Sequence, residues 1–147
     1  MKIAMIGASS FIGTRLLRLL REEPAKYDCK NIDLLPSHFF NDVTVIGDVR
    51  EQEYMDRELK GADVVILLAA QHRDDVSPVS LYYDTNVGGM EVTLKAMEKN
   101  GMKRIIFLLY SFRLLQCMVL TRRIPMRITL RIRSIIMASQ SGRLRRS

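Results

Sequence analysis

A short apolar segment, a glycine-bearing turn and an amphipathic helix open this chain, and together they restrict its possible folds more than any other feature. Lys2–Ile6 is predicted to form a buried strand, and Phe11–Arg21 is predicted to form a helix that ends before Pro24. The turn G-A-S-S-F-I-G lies between them at residues 7–13. A helix that begins directly after such a turn offers N–H groups and a positive dipole end to an anion. The buried face of this helix is predicted to consist of Ile12, Leu16, Leu19 and Leu20.

Short apolar segments and helical segments alternate along the rest of residues 1–111. Further strands are predicted over 31–35, 43–46, 63–70 and 104–109, and further helices over 50–60 and 80–99. This alternation is typical of parallel strands joined by right-handed helical crossovers. The expected fold class is α/β, a Rossmann-like parallel sheet with flanking helices that is truncated after about five strands.

The turn at residues 7–13 fits a dinucleotide phosphate site because it follows a strand and opens a helix. Gly7 permits the tight turn, and Gly13 lets the helix approach the strand closely. Ser10 replaces the middle glycine of the usual pattern, so its Cβ is expected to crowd the phosphates. The alternative is a purely structural turn without a ligand. The turn residues predicted to contact a dinucleotide are Gly7, Ser9, Ser10, Phe11, Ile12 and Gly13.

Two aspartates follow the second and third predicted strands. Asp33 lies 20 residues after Gly13, where an acid accepts hydrogen bonds from the adenosine ribose and repels a 2′-phosphate. This spacing favours NAD over NADP as the cofactor. Asp48 and Val49 are predicted to lie at the adenine ring. The alternatives are a solvated loop acid at position 33 and a turn aspartate at position 48.

The fourth strand and the long helix supply the remaining candidates. Ala69 and Ala70 end the strand, and their small side chains leave room for the ribose and nicotinamide side of the cofactor. His72 either faces a substrate or is an ordinary loop histidine. Asn86 is a poor helix former inside the 80–99 helix, so it is predicted to contact the cofactor unless it is an exposed surface residue. Gly88 and Gly89 weaken the same helix, which indicates close packing there.

An ordered set of short motifs gives this chain a family resemblance. G-A-S-S-F-I-G, G-D-V at 47–49, L-L-A-A at 67–70, Y-D-T-N-V at 83–87 and K-R-I-I-F at 103–107 occur in order. Over residues 1–107 the chain resembles the extended short-chain dehydrogenase/reductase superfamily. Within it, the chain is most similar to the NAD-dependent epimerase/dehydratase family that acts on nucleotide sugars. The resemblance implies a dinucleotide cofactor, NAD, and a nucleotide-sugar substrate.

The resemblance also implies catalytic elements that do not appear in residues 108–147. The family carries a Ser/Thr cluster before V-Y-G and then Y-x-x-x-K, in which the tyrosine is the general acid/base and the lysine lowers its pKa. Here the last lysine is Lys103 and the last tyrosine is Tyr110. No catalytic residue is therefore assigned, and turnover is not expected. The family dimerises through a helix pair that includes the Tyr/Lys helix, so the native homodimer interface is expected to be lost.

Charge divides the chain into two segments. All 16 acidic residues and 14 of the 23 basic residues lie in residues 1–111, whereas residues 112–147 carry nine arginines and no other charged side chain. Residues 1–111 are predicted to be an incomplete NAD(P)-binding domain. Residues 112–147 are predicted to be a basic, non-native and poorly ordered tail. The fifth strand would then have an exposed edge, which residues 126–132 cover loosely as a candidate strand.

A shifted reading frame is one hypothesis for this tail. With plausible codons for residues 117–146, the neighbouring frame can encode V-Y-G and, near its end, Y-x-x-x-K. Two of its glycines are nearly forced, because Met118-Val119 and Met137-Ala138 give glycine with any wobble base. The competing hypothesis is a genuine basic tail that binds nucleic acid. It is disfavoured by the absence of lysine, and of any aromatic residue after Phe112.

The remaining composition limits the function classes. Cys29 and Cys117 form neither a metal-binding spacing nor a disulfide framework. No signal peptide and no membrane span are predicted, so a cytoplasmic location without membrane contact is expected. The expected function is therefore that of an NAD-binding, epimerase/dehydratase-like domain without turnover. The alternative is a non-catalytic NAD(H)-sensing module.

Overall fold

The structure, a computed structural model, describes residues 1–71, 77–111 and 114–121. These residues form a six-stranded sheet in the order β3-β2-β1-β4-β5-β6, in which the first five strands are parallel. The strands are β1 Lys2–Ile6, β2 Asp28–Asp33, β3 Thr44–Ile46, β4 Val64–Leu67, β5 Arg104–Ser111 and β6 Leu114–Thr121. The helices are α1 Phe11–Arg21, α2 Gln52–Glu58, α3 Ser80–Tyr83 and α4 Gly89–Lys99. The predicted α/β fold with a parallel sheet and flanking helices is confirmed.

Helices cover both faces of the sheet, and the strand sequences follow from this. Alternate residues of β1 point to opposite faces, so Ile3 and Met5 pack on the α1 side with Leu17. Ala4 and Ile6 pack on the other side, against side chains of α2 and α4 such as Met55 and Met97. A strand that is buried on both faces needs a continuous apolar run, which β1 and β4 have.

The second and fourth strands differ in extent from the predicted ones. β2 spans Asp28–Asp33 rather than 31–35, because Lys2 of β1 pairs with Asp28 at the start of the ladder. Leu34 and Leu35 lie beyond the strand and are exposed. β4 ends at Leu67, and the N–H groups of Leu68 and Ala69 both donate to the Ile6 carbonyl. The predicted β2 began too late because its first residues are mostly polar. The predicted β4 ended too late because apolar residues continue beyond Leu67.

Helix α1 has the predicted bounds, and Leu16 and Leu20 of its predicted face pack against the core. Leu17 is fully buried and Gly13 lies at the contact with the strand turn, whereas Leu19 is 62% exposed. The predicted inclusion of Leu19 is therefore wrong. Gly13 is the residue of closest approach, so the buried stripe runs through Gly13 and Leu17, one helical turn apart.

The predicted helix over 80–99 is helical throughout, but it contains a wider turn. Asp84–Gly88 form a π-helical turn between α3 and α4. Such turns insert one extra residue and occur often at functional sites. The expectation of close packing holds at Gly89, where a Cβ would lie 2.8 Å from a methyl group of Val49. It does not hold at Gly88, where a Cβ would lie 3.9 Å from the Tyr83 carbonyl oxygen, an ordinary van der Waals distance.

The first part of the segment predicted as a non-native tail belongs to the sheet. β6 pairs antiparallel with β5 along its whole length, from Arg104 opposite Thr121 to Ser111 opposite Leu114. β5 therefore does not form the exposed edge that was expected. The candidate strand at 126–132 lies outside the described residues.

Candidate cofactor site

The predicted site residues follow the ends of four neighbouring parallel strands. The glycine turn follows β1, Asp33 ends β2, Asp48 comes shortly after β3, and Ala69 comes shortly after β4. These strands are adjacent in the order β3-β2-β1-β4. Because they are parallel, their carboxyl ends lie along one edge of the sheet, which is where ligands bind in open α/β sheets.

Two glycines make the turn after β1 possible. Gly7 has a φ of +84°, and a Cβ there would lie 2.5 Å from the backbone nitrogen of Ala69. A Cβ on Gly13 would lie 2.3 Å from the Cα of Ala8. Neither position has room for a side chain, since the obstructing atoms belong to the backbone. The turn and the first turn of α1 are therefore held close to β1 and to the loop after β4.

Ser10 is the N-cap of α1. Its hydroxyl accepts a hydrogen bond from the Gly13 N–H at 3.3 Å, and its backbone is extended. Serine is a favoured N-cap because its oxygen replaces a missing helical acceptor. Phe11 and Ile12 carry the first two N–H groups of α1, which have no acceptor within the helix. Ser10 therefore strengthens the helix end at which a phosphate is expected to bind.

Phe11 is the most exposed large apolar side chain in the described part of the chain. It is 72% exposed, and the guanidinium carbon of Arg15 lies 4.2 Å from the centre of its ring. This distance is within the range of a cation–π interaction. The contact places a positive charge one helical turn into α1, which adds to the positive potential at the helix start.

Asp33 is attached to the glycine turn. Its Oδ2 accepts a hydrogen bond from the Ser9 N–H at 2.9 Å, and its Oδ1 accepts one from the Leu35 N–H at 3.3 Å. The carboxylate is half-buried. The structure thus brings together the turn and the acid that the sequence separates by 20 residues.

Asn31 is a residue of this region that the sequence analysis missed. It lies two positions before Asp33 on β2 and is fully buried. Its Oδ1 accepts a hydrogen bond from the Ala8 N–H at 2.9 Å. An asparagine inside a strand is unusual, and this was the available indication in the sequence that position 31 has a specific polar contact.

The segment after β3 is fixed by packing and by an ion pair. The carboxylate of Asp48 accepts hydrogen bonds from the Arg50 guanidinium at 2.9 Å and from the Arg50 N–H at 2.9 Å. The Arg50 hydrogen bonds hold the pKa of Asp48 below its usual value. Val49 is buried against Gly89. The ring of Tyr54 covers Gly47, and its hydroxyl donates to the Ile46 carbonyl at 2.7 Å.

An open depression of about 490 Å³ adjoins this segment. Its lining residues are Asp48, Arg50, Glu51, Asp84, Gly88 and Val92. Gly88 of the π-helical turn thus lies near Asp48, the residue predicted to meet the adenine ring. The Asp48 carboxylate is already engaged by Arg50, so a ligand here meets an ion pair rather than an isolated acid.

Asn86 holds the loop after β4. Its Oδ1 accepts from the Gln71 N–H at 2.7 Å, and its Nδ2 donates to the Gln71 carbonyl at 3.0 Å. This paired contact with the backbone shows why a polar residue stands inside the helix. It fixes the end of the segment that contains Ala69 and Ala70, both of which are half-buried. His72 lies outside the described residues.

No group of three or more His, Cys, Asp or Glu side chains suited to a metal ion occurs in the described ranges. Within the same ranges, no helix is long and apolar enough to cross a bilayer.

Comparison with known proteins identifies the family. Residues 3–109 match the family model described as the NAD dependent epimerase/dehydratase family. Over 105 residues the chain is 56% identical to N-acetyl-alpha-D-glucosaminyl-diphospho-ditrans,octacis-undecaprenol 4-epimerase from Escherichia coli O157:H7. That alignment covers 71% of this chain and 31% of the relative, so the chain spans about a third of the relative's length.

Solved structures share the fold. UDP-glucose 4-epimerase from Thermotoga maritima, solved with UDP-glucose, has a TM-score of 0.63 and 28% identity, covering 73% of this chain and 37% of that one. A short-chain dehydrogenase/reductase superfamily protein from Agrobacterium tumefaciens, solved with bound NAD, has a TM-score of 0.65 and 21% identity, covering 73% and 32%. With the family match over most of the chain, these similarities confirm the predicted resemblance: the chain belongs to the NAD-dependent epimerase/dehydratase family.

Proposed function

We propose that this chain binds NAD and performs no turnover, as the cofactor-binding portion of a nucleotide-sugar epimerase/dehydratase-like oxidoreductase. The observation that carries the proposal is the contact between Asp33 and the glycine turn. A carboxylate at the end of β2 bonds directly to the Ser9 N–H, beside the start of α1. This is the position from which an acid binds the ribose hydroxyls of NAD and repels the 2′-phosphate of NADP.

The residues at the sheet edge suit the separate parts of a dinucleotide. The first N–H groups of α1, on Phe11 and Ile12, would hold the diphosphate. Asp33 would hold the adenosine ribose, and the segment Asp48-Val49 would border the adenine. Ala69 and Ala70 would lie on the nicotinamide side. When bound in a complete enzyme of this family, NAD supplies a hydride acceptor, and the residues named here serve only to bind and orient it.

The proposed lack of turnover rests on residues 108–147. They contain no tyrosine followed four residues later by lysine, the pair that supplies proton transfer in the family. We propose that a shifted reading frame produced this segment. Sequencing the gene beyond codon 100 tests this directly: a neighbouring frame with Y-x-x-x-K and continued family-like sequence is expected. A gene without such a frame would make the segment a genuine product, and its arginines would then be tested for nucleic-acid binding.

The proposed substrate class of the complete protein comes from its relatives. The E. coli relative is named for a sugar carried on a diphospho-undecaprenol, and the T. maritima structure contains UDP-glucose. In both, a hexose is attached through a diphosphate. We therefore propose a diphosphate-linked hexose as the substrate class of the complete protein.

Titration of the 147-residue chain with NADH, followed by cofactor fluorescence, tests cofactor binding. We expect saturable NADH binding and weaker NADPH binding. Asp33→Ala is expected to weaken NADH binding at least about tenfold, or about 1.4 kcal/mol, because the ribose hydroxyls lose a charged acceptor. Asp28→Ala is the matched control, since Asp28 is an exposed acid at the opposite end of the same strand. A soluble chain that does not bind NADH would refute the proposal.

A further inference from the structure

Asn31 is a buried amide on an interior strand of the sheet, between β1 and β3. Its Nδ2 donates to the Ser9 hydroxyl at 3.2 Å and to the Thr44 hydroxyl at 3.0 Å. Its Oδ1 accepts the Ala8 N–H at 2.9 Å. Both amide hydrogens and the carbonyl oxygen therefore have partners. A buried amide with complete hydrogen bonding fixes the groups around it, because any displacement leaves a polar atom unpaired.

The partners of Asn31 belong to the turn between β1 and α1. Asn31 holds the N–H of Ala8, and Asp33 holds the N–H of Ser9. Residues two apart in a strand point to the same face, so these two side chains of β2 bind successive amides of the turn. The position of the turn relative to Asp33 is thus set by two anchors on one strand.

Further hydrogen bonds extend this network to both ends of the 34–40 segment. The Ser9 hydroxyl donates to the Leu35 carbonyl at 3.2 Å. The Thr44 hydroxyl donates to the Phe40 carbonyl at 2.7 Å. Asn31 lies between these two hydroxyls and donates to both. The turn, the segment after Asp33 and the start of β3 are therefore connected through one side chain.

We infer that Asn31 is a positioning residue for the dinucleotide, which holds the diphosphate turn at a fixed distance from the ribose-binding Asp33. This inference rests on the proposed NAD binding. Asn31 does not touch the cofactor: it is fully buried and acts through Ala8 and Ser9. Its effect is specific for ligands that contact the turn and Asp33 together, because only those ligands depend on the distance between them.

The test compares NADH, ADP-ribose and adenosine binding to the 147-residue chain and to Asn31→Leu, which has a similar volume and no hydrogen-bonding groups. ADP-ribose carries the diphosphate, whereas adenosine does not. We expect Asn31→Leu to bind NADH and ADP-ribose about tenfold more weakly, because the turn no longer places its contacts with the diphosphate correctly relative to Asp33. The adenosine affinity, measured by competition NMR, is expected to stay within about twofold.

Two further variants keep the inference testable. Thr93→Val is the matched control, because it removes a buried hydroxyl that donates to Gly89 at 2.8 Å within α4, away from the turn. It is expected to lower stability without changing NADH affinity. Thr44→Val removes one acceptor of Asn31 and is expected to give a smaller loss of NADH affinity, about threefold. This variant decides the question if Asn31→Leu does not fold.

Three outcomes would overturn the inference. One is unchanged NADH affinity in Asn31→Leu, or in Thr44→Val where Asn31→Leu does not fold. Another is an equal loss of affinity in Asn31→Leu and Thr93→Val, which would show a general effect of stability. The third is an unaltered chain that binds no NADH, which refutes the proposed function as well. The titration of the unaltered chain therefore separates failure of the inference from failure of the proposed function.

Discussion

At the scale of single residues, the turn after β1 excludes a β-carbon at two positions. At Gly7 the obstruction is the backbone of Ala69, and at Gly13 it is the backbone of Ala8. Backbone atoms cannot move aside as a flexible side chain can. These positions therefore need glycine for steric reasons that are independent of any bound ligand.

Gly7→Ala and Gly61→Ala separate this steric effect from backbone strain. Both glycines have positive φ, +84° and +80°, but no atom lies within 4 Å of a Cβ at Gly61. We expect Gly61→Ala to lower the free energy of unfolding by about 1 kcal/mol, from the left-handed conformation alone. Gly7→Ala is expected to lower it by about 3 kcal/mol, because the overlap with Ala69 adds to the strain. Urea unfolding measures both, and equal losses would contradict the assigned overlap.

The residues of the site differ in how far the sequence could predict them. Gly7, Gly13 and Asp33 belong to a pattern with a fixed spacing, so their proximity followed from the sequence. Asn31 did not follow from it, because its partners Ala8 and Thr44 lie 23 and 13 residues away along the chain. Its contacts depend on the register of three strands. That register was not predictable from a polar residue alone.

At the scale of elements, α2 is joined to β2 by an ion pair. The ammonium group of Lys30 contacts the carboxylate of Glu58, and it also donates to the Glu58 carbonyl at 3.3 Å. The Glu58 side chain is 15% exposed and that of Lys30 is 41% exposed. The hydrogen bond from Lys30 lowers the pKa of Glu58. This contact connects the end of α2 to the middle of β2.

Glu58→Gln tests this connection through its pH dependence. A lowered folded-state pKa stabilises the fold above the unfolded value of about 4.3, and this stabilisation is lost as the pH falls through the folded value. We expect the variant to be about 0.5 kcal/mol less stable at pH 7, a small effect because Lys30 is well solvated. The difference should vanish in acid. Urea unfolding at pH 7 and in acid measures the difference in stability between Glu58→Gln and the unaltered chain. Glu98→Gln, on the exposed side of α4, is the control. A difference that persists in acid would exclude the ion pair as its cause.

At the scale of the whole molecule, the sheet includes a strand that the sequence analysis placed in the tail. The alternation of apolar strands and helices was enough to predict the parallel sheet. The ordered short motifs were enough to predict the family. β6 was not predicted, because its apolar residues begin only three positions after the end of β5 and lie in the segment that carries no charge other than arginine. An antiparallel hairpin at the edge of a parallel sheet requires no crossover helix. Periodicity therefore gave no separate indication of it.

Chains that end at residue 121 and at residue 111 test the contribution of β6. The shorter chain leaves the N–H and C=O groups of β5 unpaired along one edge, which favours association between molecules. We expect it to aggregate at a several-fold lower concentration, as measured by light scattering. Hydrogen exchange of the β5 amides should also be faster. Equal solubility and equal exchange in the two chains would show that β6 does not pair with β5 in solution.

The contact between Gly7 and Ala69 has a consequence for how this sequence can evolve. A Cβ at position 7 would meet the nitrogen of Ala69 at 2.5 Å and its Cα at 2.7 Å, whereas the Ala69 Cβ is 3.0 Å away. Substituting glycine at position 69 would remove only the most distant of these three atoms. No single change at the neighbouring site can therefore compensate for the loss of Gly7. Selection on position 7 is therefore independent of which side chain position 69 carries, since every residue at position 69 keeps the two nearest obstructing atoms.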